Sequence, residues 1–295
     1  MGKVYSSPTP TENTVALPCP AERPHGGRKA AFASVTGINH ATNEDCCLHS
    51  PSADAPIFCA VADGVGGGAF GEVASHALVS HCAAAPESVY RDAQQLAEWL
   101  TEGDAVVREA IARRSSKPGA STLVAAWFLS DERAHVVNIG DCRAYRLSPG
   151  RRDGWQIKQL TTDQTYANLG FSHPPNGRPD DPACMAGVGA VAYLNVLPVK
   201  LRPKEMLLLC SDGLHKFVND EALKQLCAEG LQCGRNLQEI CQMLVETAQR
   251  NGSHDDVSAL LVRRHSQRGA DWRYWLALLV SLLLYTASVL QHFFR

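Results

Sequence analysis

The 295-residue chain is 45% apolar and 20% charged. That excludes a disordered, collagen-like or supercharged protein and fits one large domain or two small ones. Its net charge of −2 is uneven: residues 263–295 hold five Arg against one Asp, or +4, which leaves −6 on the rest. So acidic a body lacks the basic field of a nucleic-acid binder, and no nucleic-acid partner is expected.

Residues 1–30 are rich in Pro, Thr, Ser and Gly without periodicity, which predicts a flexible extension. No charged stretch there leads into an apolar run, so no secretory signal peptide is expected. Residues 1–6 fit a myristoylation pattern, but only as a short formal match. Strands are predicted over 31–35, 57–62, 122–129, 134–139, 144–147, 206–210 and 257–262, where apolar and β-branched residues concentrate. Helices are predicted over 72–84, 93–114, 220–228 and 237–249, with Asn219 and Asn236 placed to cap the last two. Residues 168–182 are rich in Pro, Gly and Asp and read as a loop. There is no internal repeat. Strand runs separated by long helices predict sheets covered by helices.

The C-terminal end differs. Residues 274–294 form a 21-residue run without a formal charge, long enough to cross a bilayer as a helix. Trp272, Tyr274 and Trp275 flank one end and Phe293 and Phe294 the other, as interfacial anchors would. Four Arg precede the run and one follows it, which puts the body on the cytoplasmic side. The expectation is a basic juxtamembrane linker over 265–273 and a single-pass anchor over 274–294, in a bacterial inner membrane, with the body cytoplasmic.

Eleven Cys, an odd number, mostly lie inside apolar runs, with no C-x-x-C pair. They read as reduced packing residues, not a disulfide framework or a zinc site.

Acidic residues recur where strands end, beside Gly or small residues: Asn43-Glu44-Asp45, Ala62-Asp63-Gly64, Gly140-Asp141, Ser211-Asp212-Gly213 and Asp255-Asp256. One Asp-Gly is an ordinary turn. Five such edges, far apart in sequence, suit hard divalent cations, which take oxygen ligands, and could build a two-metal site. Gly64-Val65-Gly66-Gly67-Gly68 as a nucleotide phosphate loop fits less well, because no Walker lysine follows and the G-x-G-x-x-G register is absent.

In this order the motifs resemble the metal-dependent protein phosphatase 2C (PP2C) family, particularly its compact bacterial members. The resemblance covers residues 31–264. It rests on Gly37…Asn43-Glu44-Asp45, Val61-Ala62-Asp63-Gly64-Val65-Gly66-Gly67…Gly71-Glu72, Gly119-Ala120-Ser121-Thr122, Asn138-Ile139-Gly140-Asp141-Cys142-Arg143, Leu160-Thr161-Thr162-Asp163, Cys210-Ser211-Asp212-Gly213-Leu214 and Gly252-Ser253-His254-Asp255-Asp256. It implies an α+β fold, a four-layer αββα sandwich of two antiparallel sheets flanked by helices, to which the C-terminal transmembrane helix is added. It also implies two Mn²⁺ or Mg²⁺ ions. Asp63 would bridge them, with Glu44, the Gly64 carbonyl, Asp212 and Asp255 as further ligands and Asp141 at the position of a third, weaker ion. The implied activity is hydrolysis of phosphoserine and phosphothreonine in proteins by a water that two metals activate. Phosphorylated proteins, a Ser/Thr protein kinase and its substrates are the implied partners.

Two positions depart from the family. His40 stands four residues before Glu44, where many members have a phosphate-gripping Arg, so His40 is the candidate substrate-binding and catalytic group beside Asp63. Gly68 replaces a His that often follows the Gly pair. These changes motivate the alternative of a weak or inactive regulator that binds metal or phosphoprotein. A pure membrane scaffold would leave the carboxylate pattern unexplained.

Overall fold

The structure, a computed structural model, describes residues 28–38, 40–50, 58–65, 70–130, 132–150, 154–264 and Ser281. Among them the strands are β1 (Arg28–Val35), β2 (Cys46–Ser50), β3 (Phe58–Val65), β4 (Ala120–Phe128), β5 (Arg133–Ile139), β6 (Arg143–Pro149), β7 (Trp155–Gln159), β8 (Leu197–Lys200), β9 (Met206–Cys210) and β10 (Val257–Arg264). The helices are α1 (Gly71–Ala83), α2 (Glu87–Arg91), α3 (Ala93–Ala112), α4 (Tyr166–Leu169), α5 (Asp212–His215), α6 (Asp220–Gln232) and α7 (Leu237–Arg250).

The strands form two five-stranded sheets, ordered β1-β10-β9-β6-β7 and β2-β3-β4-β5-β8, and every pairing is antiparallel. Because side chains alternate along a strand, a strand buried on both faces must be apolar throughout. β3 does this: Phe58, Ala60 and Ala62 face α1 and α3, while Cys59 and Val61 face the other sheet. β9 does the same with Leu208 and Cys210 toward α6 and α7, and Leu207 and Leu209 toward the first sheet's partner. Three apolar layers result, one between the sheets and one under each helix pair. The four-layer sandwich of two antiparallel sheets flanked by helices is therefore the fold.

Local capping agrees with the sequence. Asn219 accepts from Ala222 N, and Asn236 and Glu239 form a reciprocal capping box. Asp92 caps α3 through Gln94 N and Gln95 N.

Several expectations shift. β1 begins at Arg28, three residues before the expected domain boundary. α6 runs four residues past the expected end at 228. Asn168 and Leu169, expected in a loop, close the short helix α4. β2, β7, β8, α2 and α5 were not expected. Each has only four or five residues, too few for a periodic signal. Ten Cys are described and all are free. Among the described residues no helix is long and apolar enough to cross a membrane. The expected linker over 265–273 and the anchor over 274–294 lie outside the described residues apart from Ser281, as do residues 1–27 of the extension.

Candidate metal centre

The acidic strand ends meet at one edge of the sandwich, along the seam between the sheets. Glu44 enters from the segment before β2, and Asp63 closes β3 in the same sheet. Asp212 opens α5 directly after β9, and Asp255 precedes β10, both in the other sheet. Asp141 lies in the β5–β6 turn that crosses between sheets, next to Gly140 at φ 86°.

Backbone contacts fix these positions. Gly64 N donates to Glu44 O at 3.1 Å, and Glu44 N donates to Asp256 Oδ2 at 2.6 Å. Asp256 Oδ1 accepts from the buried Gly37 N at 2.7 Å, so one carboxylate ties the segment carrying Glu44 to the start of β10. Ser121 Oγ donates to Asp63 O at 3.0 Å. Behind the rim, Ser211 Oγ donates to the buried Asp45 at 2.8 Å and accepts from Ser258 N at 3.0 Å. Arg143 grips Asp163 through two nitrogens, with Nε at 2.9 Å and Nη2 at 2.7 Å, and secures the exit from the β5–β6 turn.

Glycine is required where α1 meets this rim. A Cβ on Gly64 would lie 2.2 Å from Gly71 O, and a Cβ on Gly71 would lie 2.3 Å from Glu44 Oε2. The helix start, the end of β3 and the Glu44 carboxylate are therefore in direct contact.

The electrostatics of the rim are those of crowded anions. Burial first, then Asp212, Asp45, Asp141 and Asp255 in turn, push the Asp63 carboxyl well above its ordinary range. Burial and Asp212 raise Asp141 to about 7, against the opposing pull of Lys216. Burial raises Asp45 to about 8. Glu44 and Asp255 are also raised, chiefly by burial. Asp212 is lowered instead: burial is the largest influence and works against it, but the Lys216 ammonium at 2.6 Å, the neighbouring Asp63 carboxyl and His215 together outweigh burial. Its Oδ1 is buried with no hydrogen-bond donor among the described residues.

These observations fit divalent cations. The donors are all oxygen, mutually repelling, and one buried oxygen lacks a partner. Among the described residues no group of three or more His, Cys, Asp or Glu side chains is drawn close enough to hold a metal ion as it stands.

The structure brings the sequence candidates Glu44, Asp63, Gly64, Asp141, Asp212 and Asp255 to this rim. His40 joins them in an unexpected way. Its Nδ1 lies 3.0 Å from Asp256 Oδ2 and its Nε2 3.9 Å from Asp255 Oδ1, with the ring one-third exposed. Asp256 is the main reason that its pKa is raised. Sequence reasoning missed Lys216, whose Nζ bridges Asp212 Oδ2 at 2.6 Å and Asp141 Oδ2 at 3.2 Å. Its i,i+4 spacing from Asp212 was the available signal. It also missed the tethering role of Asp256, seen only as the acidic neighbour of Asp255.

Comparison with known proteins agrees with this geometry. The family profile for protein phosphatase 2C matches residues 38–247. The serine/threonine protein phosphatase PstP of Mycobacterium tuberculosis is 32% identical over 207 residues, 65% of this chain. The match spans only 37% of that relative's length. The serine/threonine phosphatase stp of Listeria monocytogenes is 26% identical over 261 residues, 82% of this chain and 98% of its own. The solved catalytic domain of PstP in complex with two manganese ions superposes with a TM-score of 0.61 at 28% identity, over 80% of this chain and 97% of that one. With the motif order, the two-sheet sandwich and the profile match in agreement over most of its length, the chain belongs to the protein phosphatase 2C family.

Proposed function

We propose that this chain is a metal-dependent protein-serine/threonine phosphatase, using two Mn²⁺ or Mg²⁺ ions. The observation that carries the reading is the convergence of carboxylates from both sheets on Asp63, beside the unpartnered buried Oδ1 of Asp212. Glu44, Asp63, the Gly64 carbonyl, Asp212 and Asp255 would hold the ions. When bound, two divalent cations lower the pKa of water and offset the charge of a phosphoryl group. The chain's own residues set the stage for that chemistry. Gly71 leaves room for the Glu44 carboxylate, and Gly64 leaves room for the Gly71 backbone. Asp256 fixes Glu44 through its backbone, and beside His40 Nδ1 it raises the pKa of the ring, whose Nε2 lies 3.9 Å from Asp255. A proton on Nε2 would be a candidate for donation to a leaving serine or threonine oxygen.

Phosphorylated proteins are the proposed substrates, with a Ser/Thr kinase acting on the same targets. Residues 274–294 support a single-pass membrane attachment with the catalytic domain cytoplasmic, and the acidic body argues against nucleic acid. One observation favours the weakly active regulator: His40 is engaged by a carboxylate, not by an open anion pocket.

The test is hydrolysis of a phosphothreonine peptide and of p-nitrophenyl phosphate by the full chain, in Mn²⁺ and in EDTA. Mn²⁺-dependent turnover abolished by Asp63→Asn is the expected result. Mn²⁺ binding without turnover would select the regulator, and neither binding nor turnover would refute both.

A further inference from the structure

Lys216 holds a charge where a metal would compete for the same oxygens. Its ammonium sits between Asp212 Oδ2 at 2.6 Å and Asp141 Oδ2 at 3.2 Å. The Asp141 carboxylate is nearly fully buried, at 3% exposure, and Asp212 is at 14%. These two groups come from different parts of the seam, Asp212 from the end of β9 and Asp141 from the β5–β6 turn. Both positions are fixed behind the carboxylates. His215 Nε2 donates to Asp141 O at 2.9 Å, and Lys216 N donates to Asp212 O at 3.0 Å. The lysine stem is therefore anchored by the first turn after Asp212, not swung in from solvent.

An ammonium is a donor only, so it satisfies two carboxylates as a small cation would. A divalent ion joining Asp141 to Asp212 would take its oxygens at about 2.0–2.6 Å, within the space the ammonium fills. The two cannot share it, and their like charges would repel at that range. Asp212 thus divides its oxygens. Oδ2 is given to Lys216, and the buried Oδ1 stays open for an ion on the Asp63 side.

We propose that Lys216 is a built-in cation that takes the place of a further divalent ion between Asp141 and Asp212. It limits the centre to the ions held around Asp63. Asp141 is then a positioning residue for Lys216, not a metal ligand. The inference rests on the proposed metal-dependent function and deepens it.

The full chain and the variants Lys216→Met and Lys216→Arg are titrated with Mn²⁺ alone, and bound ions are counted by calorimetry and by the paramagnetic signal of free Mn²⁺. Wild type and Lys216→Arg should bind two ions. Lys216→Met should bind a third at least tenfold more tightly than any third event in wild type. Two ions in wild type with an unchanged count and affinity in Lys216→Met would overturn the inference alone. No Mn²⁺ bound by wild type would overturn the proposed function and this inference with it. Should Lys216→Met fail to fold, Lys216→Gln, which keeps an amide donor but no charge, carries the same expectation and the same refutation.

Discussion

Gly71→Ala separates the geometry of the centre from the stability of the fold. Gly71 opens α1, and an added Cβ would lie 2.3 Å from Glu44 Oε2, 2.6 Å from its Cδ and 2.8 Å from Gly64 O. Ordinary contact begins at 3.4 Å, so the carboxylate must retreat by about 1 Å. A misplacement of that size at a positioning group costs about 100-fold in rate, or about 2.7 kcal/mol of barrier. The two nearest contacts are the end of a side chain that can give way, but Gly64 O at 2.8 Å is backbone, so the helix start must yield as well. Folding stability in EDTA should therefore fall by about 1–3 kcal/mol, less than in the control that follows. Gly64→Ala is the control. Its Cβ would meet Gly71 backbone atoms at 2.2, 2.3 and 2.7 Å, and backbone cannot retreat alone. This second variant should lose several kcal/mol, above the range of about 1–3 kcal/mol typical of overpacking. The assay pairs kcat/KM on the phosphothreonine peptide with urea unfolding in EDTA. Activity of Gly71→Ala within threefold of wild type would refute the reasoning, as would equal destabilisation of the two variants.

Two further outcomes follow from the charges of the rim. Asp256→Ala removes the acceptor of the buried Gly37 N and of Glu44 N, so it should cost about 3–5 kcal/mol and weaken Mn²⁺ binding, while Asp256→Asn, which keeps one acceptor, should cost less; equal losses, measured by urea unfolding and Mn²⁺ titration, would count against the tether. The raised carboxyls of Asp63, of Asp45 at about 8 and of Asp141 at about 7 bind protons more tightly in the folded than in the unfolded chain. Their stabilising contribution is complete below the ordinary carboxylate pKa of about 4 and is lost as pH rises through about 7–8. The metal-free chain should thus lose stability between about pH 5 and 8, and saturating Mn²⁺ should remove the trend. A urea midpoint in EDTA that climbs across this window would contradict the assignment.

The strands that could be read from sequence are those buried on both faces. The Phe58–Ala62 part of β3 and Met206–Cys210 of β9 show unbroken apolar runs because helices cover one side and a sheet the other. β8 could not be read this way, since Pro198 interrupts a four-residue strand at a sheet edge. β7 alternates as Trp155-Gln156-Ile157-Lys158-Gln159 but is also short and at an edge. Asp63, Asp141 and Asp212 were legible for a related reason: each terminates or follows an apolar strand, so its position on a rigid edge is written locally, whereas Glu44 and Asp255, which precede β2 and β10, were legible from the motif order. Lys216 and Asp256 were not, because their roles depend on what the folded chain brings opposite them. Asp141 is 75 residues from Lys216, and Gly37 is 219 residues from Asp256. His40 shows the same limit, since its spacing from Glu44 matches the family position but its actual partner, Asp256, is on the other side of the sequence.

The seam has a consequence for the life of the protein as well as for its chemistry. Glu44 and Asp63 belong to one sheet, while Asp212 and Asp255 belong to the other. Without cations these anions would repel across the shared edge; divalent cations held there, as proposed, would let the same groups join the layers. Binding energy at this edge is then also cohesion of the whole sandwich, because a ligand that binds only the folded chain shifts the folding equilibrium. A cell that runs short of manganese or magnesium would accordingly have less of the protein as well as a slower one, since proteases act on the opened chain.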